Sequence, residues 1–383
     1  MAFLVAVLLV GHASLATLPD RVDGQEISNL YGWWAAIYSN WPFVPQQSTV
    51  WPVSSLSTPS AWDAALPQSP AELRRSAEQL NEYGSALDIL EFNPNPEYPD
   101  FVRWKQGYLA QVDRLGRVFM LGYEHINGTR LRQLDVSTKN ATPTFDMSDP
   151  YNRAVFTQDV DFMFREVVVP YIDYYVTMNG RAVIYLWNTE NMLGDFASLL
   201  NEIKARYPVA FIGSETHKPR AGDAAATARV DALDGFMAYS VLDPDNEGNY
   251  SRAMTEQYWS SVVFRDFLRA YEAQHPGRYR LFIPTFQAAF DDSRYPGRSN
   301  ADGSPKTVPM YPRSRDELFG AAQAIKTAMS QQHIYDAYGP MVVYNELFEG
   351  AAVIESQPYP APPSQYHGFG LGRLAIVKQF FAP

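Results

Sequence analysis

Short runs of apolar residues recur along this chain, with loops or segments of helical spacing between them. Runs of this length that are bounded by turn residues favour buried strands. The pattern predicts eight strands, at residues 30–38, 86–92, 118–122, 182–187, 209–213, 235–240, 281–286 and 341–344.

Several segments between these runs have the pattern of a helix. Residues 70–81 follow Ser69, which suits an N-cap, and place Pro70 at the first helical position. Residues 314–329 begin with a serine and then place apolar residues at helical spacing. Residues 196–207 and 253–273 are similar. Buried strands that alternate with helices predict a parallel sheet with helical crossovers.

Eight such units favour one α/β domain built as a closed (β/α)8 TIM barrel with long βα loops. Residues 42–67 and 291–312 have the composition of such loops, and they follow the first and seventh strands. An open, doubly wound sheet is the alternative, but no glycine-rich phosphate loop follows any predicted strand.

The composition of the chain argues against several classes of function. The 383 residues are 46% hydrophobic and 19% charged, which supplies a large core. A net charge of −11 argues against nucleic acid as a partner. The absence of cysteine excludes a disulfide framework, a thiolate zinc site and a cysteine nucleophile. Aromatic residues make up 14% of the chain, and some of their rings could line a cleft for sugars.

The chain opens with an apolar run over residues 1–10, followed by small residues that end in Ser14-Leu15-Ala16, an acceptable cleavage site. They predict a signal peptide, a domain over residues 17–383, and a secreted or cell-surface protein. The run is too short for a comfortable membrane span, so no integral membrane segment is expected. A buried first strand remains the alternative, since no basic residue precedes the run.

Polar and aromatic residues stand at nearly every predicted strand end, and a barrel would gather these ends on one face. A polar cleft lined with carboxylates and rings is the layout expected for glycoside cleavage. His125 and His217 with Glu124 and Glu215 could in principle bind a metal, but no close histidine–aspartate cluster supports this. Neither a metal nor another cofactor is predicted. The strand-end residues include Glu91, Asn93, Tyr123, Glu124, His125, Trp187, Glu190, Tyr239, Asp291, Asp292, Glu346 and Glu349.

Glu346 and Glu349 lie three residues apart just after the eighth predicted strand. Two carboxylates at a strand end are costly unless they face a polar cavity, are paired or perform acid–base chemistry. A solvated turn is the alternative for this pair.

The segment Tyr344-Asn-Glu-Leu-Phe-Glu-Gly-Ala-Ala-Val-Ile-Glu355 resembles the signature of glycoside hydrolase family 99, the endo-α-1,2-mannosidases and mannanases. Residues 179–187, 234–239 and 283–294 are similar to three further motifs of that family, in the same order along the chain. Leu347 and Phe348 replace the family's Trp-His pair, and Ala351 replaces its threonine. The resemblance therefore implies the family's barrel with altered subsites.

This resemblance implies a retaining mechanism in which the 2-hydroxyl of the substrate attacks the anomeric carbon and forms a 1,2-anhydro sugar. Glu346 would be the base for that hydroxyl, and Glu349 would protonate the leaving oxygen. Tyr239 would contact the sugar at the cleavage point. The other predicted substrate-binding residues are Tyr38, Trp34, Glu124 and Trp187, which could form a sugar-binding wall, together with Asn345, Asp291 and Asp292.

The expected activity is endo-acting cleavage of a mannose-containing glycan or a related polysaccharide, with an oligo- or polysaccharide as the partner. An α-glucan-cleaving glycosidase of related barrel type is one alternative. A non-catalytic glycan-binding barrel is the other.

Overall fold

The computed structural model describes part of the chain, and the account below is confined to it. The described residues are 21–27, 34–38, 50–52, 74, 77–78, 80–95, 99–125, 129–134, 144–214, 224–237, 266–278, 280–283, 285–286, 314–330, 341–343, 356–358 and 372–381.

The centre of the fold is a parallel sheet whose strands coincide with the eight predicted ones. Its pairing runs in the order β7a, β6, β5, β4, β3, β2, β1, β8, β7b, and every neighbouring pair along this path is parallel. The strands are β1 (Trp34–Tyr38), β2 (Ser85–Phe92), β3 (Val118–Tyr123), β4 (Arg181–Leu186), β5 (Val209–Ser214), β6 (Gly235–Met237), β7a (Leu281–Ile283), β7b (Thr285–Phe286) and β8 (Met341–Val343).

The two end strands of this path adjoin each other in sequence. β7a pairs with β6, β7b pairs with β8, and a single residue, 284, lies between the two segments in the chain. The sheet is thus a strongly curled α/β arrangement, and the prediction of a parallel sheet with helical crossovers is confirmed.

Helices cover one face of the sheet. The predicted helix after Ser314 is confirmed, because the Ser314 hydroxyl accepts from the Glu317 amide at 3.2 Å and caps the first turn. Described residues between 74 and 82 and between 266 and 274 are also helical, within or next to predicted helices. The helices with defined bounds are Pro99–Gln106, Val112–Leu115, Pro150–Met163, Phe196–Lys204, Ala224–Ala232, Arg315–Ser330 and Gly372–Phe381, together with a π-helical turn at Phe164–Val168 and short 3-10 turns at Leu109–Gln111, Ile172–Tyr174 and Thr189–Asn191.

Alternation along the strands divides the core into two parts. Leu90 and Phe92 of β2 pack against the helices, whereas Leu87 and Ile89 belong to a second cluster with no helix residue. We call the face that carries this second cluster the inner face. Its buried members are Ile27, Leu87, Ile89, Met120, Val176, Val183, Tyr185, Ala210, Ile212, Met237 and Ile283.

The amino edge of the sheet is held by a buried ion pair. Asp88 and Arg117 have fully buried side chains and contact each other directly. Arg117 also donates to the Ser85 carbonyl at 2.6 Å, and the Tyr108 hydroxyl donates to Asp88 at 2.6 Å. Because both charges are paired and hydrogen-bonded, the network tolerates its burial and fixes β2 against β3.

A short hairpin adds to the same edge. The strand Val176–Met178 pairs antiparallel with β4 and parallel with Gln25–Glu26. Four further short strands form two small two-stranded sheets, Val50–Pro52 with Ser356–Pro358 and Phe145–Asp146 with Met192–Leu193. In the described part of the chain, no helix is long and apolar enough to cross a membrane.

Candidate active site

The carboxyl ends of the parallel strands lie at one edge of the sheet, and hydrogen bonds tie the neighbouring ends together. The Asn93 side chain donates to the Glu124 carbonyl at 3.2 Å, and the Glu124 amide donates to the Phe92 carbonyl at 3.0 Å. The Thr189 hydroxyl donates to the Ser214 carbonyl at 2.9 Å. These bonds join the ends of β2 to β3 and of β4 to β5, so this edge is a rigid platform for the side chains it carries.

Strand register brings Glu91 and Tyr185 together across a glycine. Glu91 of β2 is the partner of Gly122 in β3, and Gly122 is in turn the partner of Tyr185 in β4. A Cβ atom at Gly122 would lie 3.2 Å from both the Tyr185 ring and Ile89. The glycine therefore leaves the space that the Tyr185 ring occupies on the inner face.

The Tyr185 hydroxyl is buried, and the charges of nearby glutamates act on it. Burial raises the pKa of Tyr185 well above its usual value, and the negative charges of Glu91, Glu190 and Glu124 raise it further. The hydroxyl thus keeps its proton and remains a hydrogen-bond donor. We call Glu91, Glu124, Tyr185, Glu190 and Ser214 the carboxyl-edge cluster.

Aromatic rings form a wall beside this cluster. His125 is fully buried, stacks on Tyr123 at 6.1 Å between ring centroids, and lies 5.1 Å from Phe145 and 6.1 Å from Trp187. Burial lowers the pKa of His125 to about 3, so the imidazole is neutral. Neither ring nitrogen has a hydrogen-bond partner.

The ion pair between Arg130 and Asp159 holds Tyr123 of this wall in place. The Tyr123 hydroxyl donates to Asp159 at 2.9 Å, and Arg130 contacts the other oxygen of the same carboxylate. Burial raises the pKa of Asp159, while the adjacent Arg130 guanidinium opposes that rise. The pair fixes the outer end of β3 against the helix Pro150–Met163.

The structure places four of the sequence-predicted site residues. Glu124, buried at the end of β3, and Trp187, partly buried after β4, both lie at the carboxyl edge. Tyr38 ends β1 at this edge, whereas Trp34 begins β1 and so stands at the opposite edge. Trp34 is not brought together with the others. The remaining predicted residues, Tyr239, Asp291, Asp292, Asn345, Glu346 and Glu349, lie outside the described residues.

Sequence reasoning missed Tyr185 and Gly122 as parts of the site. Tyr185 and Gly122 lie inside apolar runs, which were interpreted only as buried strands. The available signal was alternation, because Tyr185 lies two residues before Trp187 and therefore on the same face of β4.

The donor set at this edge suits a hydroxyl-rich ligand. Within the residues the structure describes, no group of three or more histidine, aspartate or glutamate side chains could hold an ion. Carboxylates that accept, a phenol that donates and rings alongside are the groups that bind sugars.

Comparison with solved structures shows a fold shared with glycoside hydrolases. The family-99 endo-α-mannosidase of Bacteroides thetaiotaomicron, in complex with bis-tris-propane, matches 94% of this chain and 97% of its own length with a TM-score of 0.58 and 11% identity. A second structure of that enzyme gives a TM-score of 0.55 at 12% identity over 95% and 98% of the two chains. A family-5 protein of Streptomyces cattleya, in complex with GlcNAc, gives 0.51 at 8% identity over 93% and 80%.

No protein-family model matches the sequence, and no curated protein matches it either. At these identities the structural likeness shows the α/β fold of TIM-barrel glycoside hydrolases.

Proposed function

We propose that this protein is a retaining, endo-acting α-glycoside hydrolase that cleaves mannose-containing glycans. The observation that carries the proposal is the carboxyl edge of the sheet, where strand register sets Glu91 and Tyr185 on either side of Gly122 and Glu124 directly follows β3, on a fold shared with an endo-α-mannosidase over 94% of the chain. Glycoside hydrolases with this fold carry their catalytic groups at that edge.

The proposal includes closure of the sheet into a (β/α)8 barrel. β7a and β7b pair with β6 and β8 respectively and are separated by one residue, which supports a single seventh strand that joins the two ends of the sheet. A closed sheet would bring the end of β8 beside the ends of β1 and β7, around the same opening as the carboxyl-edge cluster.

The proposed catalytic pair is Glu346 and Glu349. Glu346 follows Val343, the last residue of β8, by three positions, and an extended chain spans at most about 3.6 Å per residue. Three residues of extended chain would therefore allow Glu346 to reach at most about 11 Å from the end of β8. This reach supports its placement at the mouth of the barrel.

The proposed chemistry proceeds in two balanced steps. Glu346 accepts the proton of the sugar 2-hydroxyl while that oxygen attacks the anomeric carbon, and the glycosidic bond breaks as Glu349 donates its proton to the leaving oxygen. Water then opens the 1,2-anhydro sugar, with Glu349 accepting a proton from water and Glu346 returning its proton to the 2-oxygen. Two displacements at one carbon retain its configuration.

The test replaces each proposed catalytic glutamate in turn. Glu346→Gln and Glu349→Gln should each lower kcat on an α-mannan oligosaccharide at least 100-fold, because general acid–base groups contribute about 10² to 10⁴ in rate. Glu166→Gln, at a half-buried glutamate that pairs with Lys105 at 3.5 Å, is the matched control and should keep wild-type kcat.

Proton NMR of the first product should show the configuration of the substrate. Inversion, or hydrolysis that survives both replacements, would overturn the mechanism. Binding of the oligosaccharide without hydrolysis by the wild type would instead identify a glycan-binding barrel.

The proposal extends to location. Residues 1–16 are proposed to be removed on export, which would place the enzyme outside the cell with access to polysaccharide. Mass spectrometry of the mature protein, expressed with these residues present, should give a chain that begins at residue 17. An intact N-terminus on protein recovered from the cell interior would contradict this.

A further inference from the structure

Exposed apolar side chains gather on the segments that follow β3 and β4. In the part of the chain that the structure describes, six large apolar side chains are well exposed, and three of them lie here: Leu134 at 39%, Tyr151 at 39% and Leu193 at 44%. Single exposed apolar residues are normal on a protein surface, whereas a group of them marks an interaction site. Segments that follow the strands begin at the carboxyl edge, which is the edge of the proposed site.

A small sheet sets part of this group in one row. Asp146 pairs in register with Leu193, and the bridge between Gln133 and Phe145 places Arg132 next to Asp146. Arg132, Asp146 and Leu193 thus lie side by side on three neighbouring segments. Two strand spacings give this row a width of about 10 Å.

Tyr151 extends the row through Arg132. The Arg132 guanidinium lies over the Tyr151 ring, with its central carbon 3.9 Å from the ring centroid. Asn152 fixes the backbone below, since its side chain donates at 3.0 Å to the carbonyls of both Arg132 and Asp146. Among the described residues the Arg132 guanidinium has no hydrogen-bond or ion-pair partner, so its N–H donors are available to a ligand. We call this surface the loop platform; its members are Arg132, Leu134, Tyr151 and Leu193.

Backbone hydrogen bonds order the loop platform without a ligand. The Met147 amide donates to the Leu193 carbonyl at 2.9 Å, and the Asp195 amide donates to the Ser148 hydroxyl at 2.9 Å. Gly194 has a φ of 71°, and a Cβ atom there would collide with Ser148. A surface that is already ordered loses less entropy when it binds.

The loop platform and the ring wall of the candidate site are opposite faces of the same small sheet. Phe145 is buried, and its ring lies 5.1 Å from that of His125. Its strand partner Met192 is buried as well, whereas the next pair, Asp146 and Leu193, faces outward. A glycan chain that leaves the candidate site past this wall meets the loop platform about one layer, roughly 10 Å, further out.

The charges at the loop platform favour a neutral polymer. The carboxylates of Asp146, within the row, and of Asp149, the N-cap of the helix that carries Tyr151, outnumber the Arg132 cation. An anionic polysaccharide would be repelled by this balance. Neutral sugars can pack their C–H faces on the Tyr151 ring and accept hydrogen bonds from Arg132.

We propose that the loop platform is a distal subsite that holds a second stretch of the same neutral polysaccharide, outside the cleavage site. This inference rests on the proposed function, because it extends the binding of the same substrate. A second contact raises the affinity for long chains and leaves that for short ones unchanged, since only a long chain reaches both places.

Two affinities that are measured without catalysis test the loop platform. All proteins carry Glu346→Gln, so that the polymer stays intact. Migration in native gels that contain soluble α-mannan gives the dissociation constant of the polymer, and calorimetry gives that of a sulfur-linked α-mannobiose, which resists hydrolysis. Tyr151→Ala and Leu193→Ser should each raise the dissociation constant of the polymer about 3- to 10-fold, the scale of one lost apolar contact, and leave that of the disaccharide unchanged.

Val169→Ser is the matched control. Val169 is 48% exposed and follows the other end of the helical segment that Tyr151 begins, about 27 Å away at 1.5 Å per residue. The change removes an equally exposed apolar side chain and should leave both dissociation constants at the value of the parent protein.

Unchanged polymer binding in both platform variants would overturn the distal subsite. An equal loss for polymer and disaccharide, or a parent protein that α-mannan does not retard, would overturn it too. Stronger retardation by polygalacturonate than by α-mannan would overturn the neutral class of ligand. Failure of the proposed function is read elsewhere, in the hydrolysis rates of the Glu346 and Glu349 variants. If the protein hydrolyses nothing but its platform variants bind the polymer more weakly, the subsite stands and the proposed activity is lost.

Discussion

The burial of His125 has a direct consequence for the pH dependence of stability. Its imidazole is enclosed by Tyr123, Phe145 and Trp187, and burial lowers its pKa from 6.5 to about 3. Between these two values the unfolded chain binds a proton at this histidine and the folded chain does not. Stability contributed by the neutral ring is therefore present above pH 6.5 and is lost as pH falls toward 3.

His125→Phe should remove this loss. The free energy of unfolding of the wild type should fall by up to about 1.4 kcal/mol per pH unit between pH 6 and pH 4 through this residue alone, and that part of the slope should vanish in the variant. Urea unfolding at half-unit pH steps measures it. At pH 8 the variant should be as stable as the wild type or more so, since it fills the same aromatic cage without an unpaired nitrogen. Equal slopes for the two proteins would refute the assignment.

Hairpin geometry at the amino edge depends on one turn. Asn179 and Gly180 both have positive φ, 55° and 69°, as the two central residues of a tight hairpin turn between Val176–Met178 and β4. A Cβ atom at Gly180 would lie 2.5 Å from Arg21. Because alanine is strained at this positive φ, Gly180→Ala should lower the free energy of unfolding by about 1 to 2 kcal/mol, whereas the exposed Arg21 side chain can move away from the added methyl group.

Gly320 provides the opposite case. It lies on the exposed side of the helix Arg315–Ser330, and nothing lies within 4 Å of a Cβ atom built there. Gly320→Ala should raise the free energy of unfolding by about 0.5 to 1 kcal/mol, because alanine is the better helix former. The two glycine variants should thus shift the urea midpoint in opposite directions, and a shared direction would show that the assigned backbone geometry is wrong.

At the scale of elements, the local sequence pattern predicted the positions of strands, because those positions depend on the residues of the strand itself. The strands β2 and β3 each differ from the predicted range by one residue at one end. The agreement is close because an apolar run of that length usually forms a buried strand. The strand Val176–Met178 was missed, although Asn179-Gly180 is a hairpin signal. The meeting of Glu91, Gly122 and Tyr185 could not be predicted, because the register between parallel strands is set by packing across the whole sheet rather than by any local pattern.

Closure of the sheet is the property of the whole molecule that the proposed site depends on most. A site shared between the ends of β2, β3, β4, β5 and β8 exists only if β8 lies beside β1. In the structure Ala35 of β1 and Val342 of β8 are direct partners, as are Ala36 and Val343. Since the chain contains no cysteine, a disulfide in a double-cysteine variant can involve only the two introduced residues.

The double variant Ala35→Cys and Val342→Cys should form a disulfide on mild oxidation, because registered partners in neighbouring strands lie within the Cα separation of about 4.4 to 6.8 Å that a disulfide needs. It would close a loop of about 300 residues and raise the free energy of unfolding by up to about 5 kcal/mol relative to the reduced form. Faster migration on a non-reducing gel and a higher midpoint of urea unfolding report it. Ala35→Cys with Ala210→Cys is the matched control, since β1 and β5 are not neighbours and this pair should stay reduced. If the control pair oxidises as readily as the test pair, disulfide formation gives no support for a barrel joined through β1 and β8. The proposed catalysis would then lose the shared opening of the barrel that it requires.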